Sequence, residues 1–111
     1  MRPEKSIIVE DLRAKARTSG ARILLLSHMR GHIADMDAVM AACDDLGLVL
    51  VEDCAHALCA AWDGRTIGTF GAAAAFSAQT YKHLNAGEGG FLVLDDDDRA
   101  ARAILHSGSY M

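Results

Sequence analysis

Apolar residues fall along this chain in short runs parted by polar turns, and the period of each run predicts an element. From Ile33 the apolar residues Met36, Val39, Met40, Cys43 and Leu46 recur at helical spacing, with Asp35 and Asp37 at the start and Gly47 just past the end. Such spacing makes one apolar stripe, acids suit the positive end of a helix dipole, and glycine accepts the left-handed turn that stops it. A helix is predicted here. Flanking it are RILLLS at 22–27, an apolar run of strand length whose lack of alternation predicts burial on both faces, and LVLVE at 48–52, again apolar and β-branched. Strand, helix, strand implies a right-handed crossover and a parallel sheet covered by helices, so the fold class is α/β.

The remaining segments extend this pattern. Ser6 to Val9 suggests a short strand, and Glu10 to Arg17 a short helix ended by Thr18, Ser19 and Gly20. AHALCAAW at 55–62 reads as helical or irregular, and DGRTIG at 63–68 as a turn with two glycines. GAAAAFS at 71–77 is divided: alanine favours helix, while the flanking glycine and Phe76 suit a short buried strand. Gly87, Gly89 and Gly90 form a turn into a strand, FLVL at 91–94; Asp95 to Asp98 then open a helix that runs to about Leu105 and stops at Gly108.

Composition narrows the class of protein. With 111 residues, 51% of them hydrophobic, the chain can build one core, as a small domain or as a piece of a larger one. The net charge of −4 and scattered basic residues give no electrostatic footprint for nucleic acid or an anionic membrane. No apolar run approaches the roughly 18 residues that span a bilayer, and MRPEKSIIVEDL lacks the apolar stretch of a signal peptide, so a cytoplasmic location is expected. The three cysteines, Cys43, Cys54 and Cys59, are an odd number and are expected to be buried free thiols.

Chemistry concentrates in VEDCAH at 51–56 and FSAQTYKHLNAGEGG at 76–90. Asp53 would stand at the carboxyl end of a parallel strand, the edge where open α/β sheets bind ligands. Taken alone it could equally cap the element that follows. Lys82, between Tyr81 and His83 in a polar loop, taken alone would be a solvated surface residue; partial burial beside that sheet edge would lower its pKa and make it a better nucleophile. An amine with a carboxylate suits pyridoxal phosphate, which needs the first for its aldehyde and the second for its ring nitrogen.

These segments resemble the DegT/DnrJ/StrS family of pyridoxal phosphate-dependent sugar aminotransferases, of fold type I. The resemblance runs from about Ile23 to Ser109 through SHMRGHIADMDAV, VEDCAH, GTFG, FSAQTYK and GEGG. It implies that Lys82 holds the cofactor aldehyde and that Asp53 partners the pyridine nitrogen. By the same resemblance His56, where many relatives carry glutamine, lies by the ring or its phenolic oxygen, and Ser77 bonds the phosphate. Without it, His56 would be a structural histidine and Ser77 a strand-end serine bonded to its own backbone. His28 and Gly31 match the family's loop after the first strand, with structural work expected of them.

Ala78 stands where relatives commonly carry an aromatic residue, and Ile33, Thr80 and Tyr81 where prolines are common; these departures bear on pocket shape and substrate. The family implies an amino-acid donor, typically glutamate, a nucleotide-linked keto-sugar acceptor and a homodimer. It also implies that residues 1–111 are the middle of a large cofactor-binding domain, without its first part or the small C-terminal domain, and with little or no turnover alone. Two other readings stand beside it. One is a noncatalytic relative acting as a binding or regulatory protein. The other is a metal module built from Cys54, His56 and Cys59 with Cys43, His28 or His32.

Overall fold

The computed structural model describes residues 7–28, 33–58, 60–77 and 89–107. Its centre is a four-stranded sheet of β1 (Ile23–Ser27), β2 (Val49–Asp53), β5 (Ala73–Ser77) and β6 (Gly90–Leu94), in that order. The first three are parallel, and β6 runs antiparallel to β5. Helices α1 (Val9–Ser19), α2 (Met36–Leu46) and α3 (Asp97–Ser107) accompany the sheet, giving the mostly parallel α/β layout that the strand, helix, strand pattern predicts.

α2 forms where its stripe predicts. Asp35 sits at the N-cap, where its carboxylate accepts from the Ala38 N–H at 3.1 Å, and Gly47 ends the helix at φ 66°. Met36, Val39, Ala42 and Cys43 are buried, and Met36, Val39 and Cys43 pack with Leu26, Leu50, Ile67 and Ala74 in one core. Burial of each large apolar side chain contributes about 1.5–3 kcal/mol, so this stripe fixes α2 against one face of the sheet.

Three expectations are corrected. The strand expected over Ser6 to Val9 is not formed in its described part: Ile7 and Ile8 lie outside any strand and Val9 opens α1. Ile7 and Val9 pack against the core without a partner strand, so burial overrides the β preference of branched residues. β1 is not buried on both faces, because Ile23 and Leu25 are each 65% exposed while Leu26 is buried. Of the segment expected to be helical or irregular, residues 55–58 and 60 are irregular and the end forms β3 (Ala61–Trp62), which pairs with β4 (Arg65–Thr66) around Asp63 and Gly64. A two-residue Asp-Gly connection favours such a hairpin because both residues accept positive φ, here 48° and 80°.

GAAAAFS resolves as strand β5, whose Phe76 ring stacks on Phe91 of β6 at 4.7 Å between centroids. Alanine's helix preference yields here to close packing: at Gly71 an added Cβ would collide with the Leu50 carbonyl oxygen. Among the described residues no helix is long and apolar enough to cross a membrane.

Candidate cofactor site

The two adjacent acids of β2 point to opposite faces, as the period of a strand requires. Glu52 goes into the core and is 0% exposed, whereas Asp53 is partly exposed on the open face that carries Ile23 and Leu25. Parallel register sets Ser27 beside Asp53 and Asp53 beside Ala75, and Ser77 follows on the same face of β5 two residues later. The carboxyl ends of β1, β2 and β5 therefore present Ser27, Asp53 and Ser77 along one edge.

Asp53 is held at both oxygens. The Ser27 hydroxyl donates to Oδ2 at 2.9 Å and the Ala55 N–H donates to Oδ1 at 3.2 Å. A carboxylate has about four acceptor positions, so capacity remains for a further donor. Ser27, His28, Asp53, Ala55 and His56 line a cavity of about 50 Å³, which brings Asp53 and His56 to one place. Lys82 lies outside the described residues, as do Gly31, Ala78, Thr80, Tyr81, Gly87 and Glu88.

Glu52 builds the floor beneath this edge. Its Oε1 accepts from the Gly68 N–H at 3.1 Å and from His28 Nε2 at 3.2 Å; its Oε2 accepts from Phe70 N–H at 3.1 Å and Gly71 N–H at 3.0 Å. Burial alone would raise the carboxyl's pKa, but the His28 ring and the Gly71 and Gly68 N–H groups outweigh it, and the pKa falls below its ordinary value. An ionised Glu52 only accepts, so His28 Nε2 carries the hydrogen. The sequence reading gave Glu52 and Ser27 no role. The signal was present in VED itself, since placing Asp53 on an open face sends Glu52 inward, where an acid needs donors.

The metal ligands gathered by the fold differ from those weighed above. His28, Glu52 and Cys54 come within 4.8 Å of one another, while Cys59 and His32 lie outside the described residues. Burial, then the charges of Glu52 and Asp53, push the Cys54 thiol up to about 12. The Glu52 carboxylate in this cluster already accepts four hydrogen bonds, which leaves it little capacity for an ion. A larger cleft of about 330 Å³ lies between α1 and β1, lined largely by apolar side chains such as Ile7, Leu12 and Ile23, and contains none of the candidate residues.

The sequence matches the pattern of the DegT/DnrJ/EryC1/StrS aminotransferase family over residues 2–109. The chain belongs to this family. It is 47% identical over 88 residues to L-glutamine:scyllo-inosose aminotransferase of Streptomyces griseus, a match covering 79% of this chain and 21% of the relative. Among solved structures, a sugar aminotransferase from Micromonospora echinospora superposes with a TM-score of 0.79 at 33% identity, covering 89% of this chain and 28% of that one. The structure of DesI determined with its TDP-sugar product gives 0.78 at 37% identity, covering 95% and 29%. The chain thus spans about a fifth of the length of the curated relatives it matches.

Family membership implies pyridoxal phosphate as the cofactor, and the described residues fit it. An oriented carboxylate, at the ligand edge of a parallel sheet and sharing a cavity with His56, is the kind of acceptor that a protonated pyridine nitrogen needs.

Proposed function

We propose that the whole protein is a pyridoxal phosphate-dependent aminotransferase acting on a ring ketone of a sugar or cyclitol, and that residues 1–111 carry part of its large cofactor-binding domain. The observation that carries this reading is the Asp53 carboxylate, held at both oxygens on the open sheet edge. When bound, the cofactor supplies a ring that takes up the electron pair released at a substrate Cα. Asp53 keeps a proton on the ring nitrogen by its charge, which a neutral amide could not do. His56 lies by the ring or its phenolic oxygen, Ser77 donates to the phosphate, and Lys82 holds the aldehyde. Once freed by the amino donor, the Lys82 amine moves the proton off the substrate Cα.

The amino donor is an amino acid, glutamate as the family resemblance implies, and the acceptor a nucleotide-linked keto sugar; the likeness to DesI, solved with a TDP-sugar product, supports the second. A second reading takes L-glutamine and an unlinked ring ketone, supported by the 47% identity to the scyllo-inosose enzyme. The complete enzyme is a cytoplasmic homodimer in this proposal.

The test begins with the chain, added pyridoxal phosphate and borohydride, followed by peptide mapping. Of Lys5, Lys15 and Lys82, Lys82 is expected to carry the reduced adduct; an adduct spread over the other two would overturn its assignment. Isotope-labelled glutamate and glutamine, offered in turn with each acceptor class to the complete enzyme, separate the two substrate readings by the mass of the aminated product.

A further inference from the structure

Ser27 interrupts a pattern. On the open face of β1 it follows Ile23 and Leu25, both 65% exposed, so the face reads apolar, apolar, hydroxyl. Its hydroxyl donates across the strands to Asp53 Oδ2 at 2.9 Å. Parallel pairing makes this contact possible, because Ser27 and Asp53 are register partners at the last rung of β1 and β2. The other carboxylate oxygen accepts the longer bond from the Ala55 N–H, at 3.2 Å, which belongs to the turn following Asp53. Without Ser27 that local bond would remain, and the side chain could swing about its Cα–Cβ bond toward solvent.

We propose that Ser27 is a positioning residue for the transamination reaction: its hydroxyl fixes the Asp53 carboxylate in the orientation that receives the cofactor's ring nitrogen. The inference rests on the reading of Asp53 as that partner. Ser27 and Ala55 each donate to one oxygen of the carboxylate, and a carboxylate has about four acceptor positions, enough to take a further donor as well. A hydrogen bond to a charged acceptor is among the stronger ones, and an acid fixed before the cofactor arrives loses less freedom on binding it. A serine acts here where a larger hydroxyl would also serve, and where an apolar residue of equal size would not.

The test compares Ser27→Ala, Ser27→Val and Ser27→Thr with the unaltered chain, labelled for NMR and without cofactor. Three-bond couplings read the rotamer of Asp53, and the amide spectrum verifies that each variant is folded. One rotamer is expected in the unaltered chain and in Ser27→Thr, and averaging in Ser27→Ala and Ser27→Val, which lack the hydroxyl. A single unchanged rotamer in both of the last two would overturn the inference.

Cofactor binding then separates this inference from the reading beneath it. Pyridoxal phosphate is compared with its analogue in which CH replaces the ring nitrogen, using Ser27→Ala and Asp53→Asn. The preference for the natural cofactor should fall roughly tenfold in Ser27→Ala, the worth of about one charge-assisted hydrogen bond, and collapse in Asp53→Asn. Collapse in Asp53→Asn with the preference intact in Ser27→Ala would sink the role of Ser27 alone. Preference intact in Asp53→Asn would sink the reading of Asp53, and the inference with it.

Discussion

Replacing Glu52 with glutamine tests the claim that one buried acid organises the floor of the site. The carboxylate accepts four hydrogen bonds at 0% exposure, two at each oxygen. Glutamine keeps the shape but turns one oxygen into a donor. If the new NH2 took the place of Oε2, it would face the N–H groups of both Phe70 and Gly71. In the place of Oε1 it would face one backbone donor, from Gly68, because His28 can change tautomer and accept. The second arrangement is cheaper, and it leaves one buried donor unpaired, at about 1–3 kcal/mol, and removes charge assistance from the remaining bonds. The sum is about 3 kcal/mol, a large share of the roughly 5–15 kcal/mol that holds a domain together. Urea unfolding followed by the fluorescence of Trp62, the chain's one tryptophan, reads the loss; with a slope near 1.5 kcal/mol per molar, the midpoint should drop by about 2 M. A drop below about 0.3 M at unchanged slope would refute the account, because it would mean that the four bonds are made equally well by a neutral amide.

Four further outcomes follow from the same structure. The folded pKa of Glu52 lies below its unfolded value, so its contribution is complete above the unfolded value of about 4.3 and is lost as pH falls through the folded one. Urea midpoints measured downward from about pH 5 should therefore fall more steeply for the unaltered chain than for Glu52→Gln, and parallel curves would contradict this. Gly71→Ala places a Cβ against the Leu50 carbonyl oxygen and should cost about 2 kcal/mol in the same assay, with no loss if the strands could part freely. Asp35→Ala removes the side-chain cap of α2 and should cost about 1 kcal/mol, seen as a lower thermal midpoint by circular dichroism. The Cys54 thiol, buried and pushed up to about 12, should resist iodoacetamide in the native chain at about pH 8 and react in urea, as peptide mass mapping would show.

Periodicity in the sequence was sufficient for α2, the strands on either side of it and the acid-opened α3, because each of these carries its own pattern and its own start or stop signal. It also placed Asp53 at a strand's carboxyl end, since strand direction and the α/β class together determine which edge collects ligands. The order of motifs carries what periodicity does not, the resemblance to the family. The hairpin of β3 and β4 carries no legible period because two-residue strands are too short to show one, and β5 stayed ambiguous because alanine's helix preference opposed the flanking glycine and Phe76.

Tertiary structure alone decided the rest. Burial differs between the two faces of β1, a fact of what lies over the sheet rather than of the residues in it. Which donors meet Glu52 depends on Gly68, Phe70 and Gly71 arriving 16 to 19 positions later in the chain, and which hydroxyl meets Asp53 depends on a register between residues 26 apart. A sequence states which side chains are available and the local period on which they sit. Long-range pairing, fixed by packing and strand register, decides which of them touch, and here that contact turns two neighbouring acids into one structural anchor and one candidate cofactor ligand.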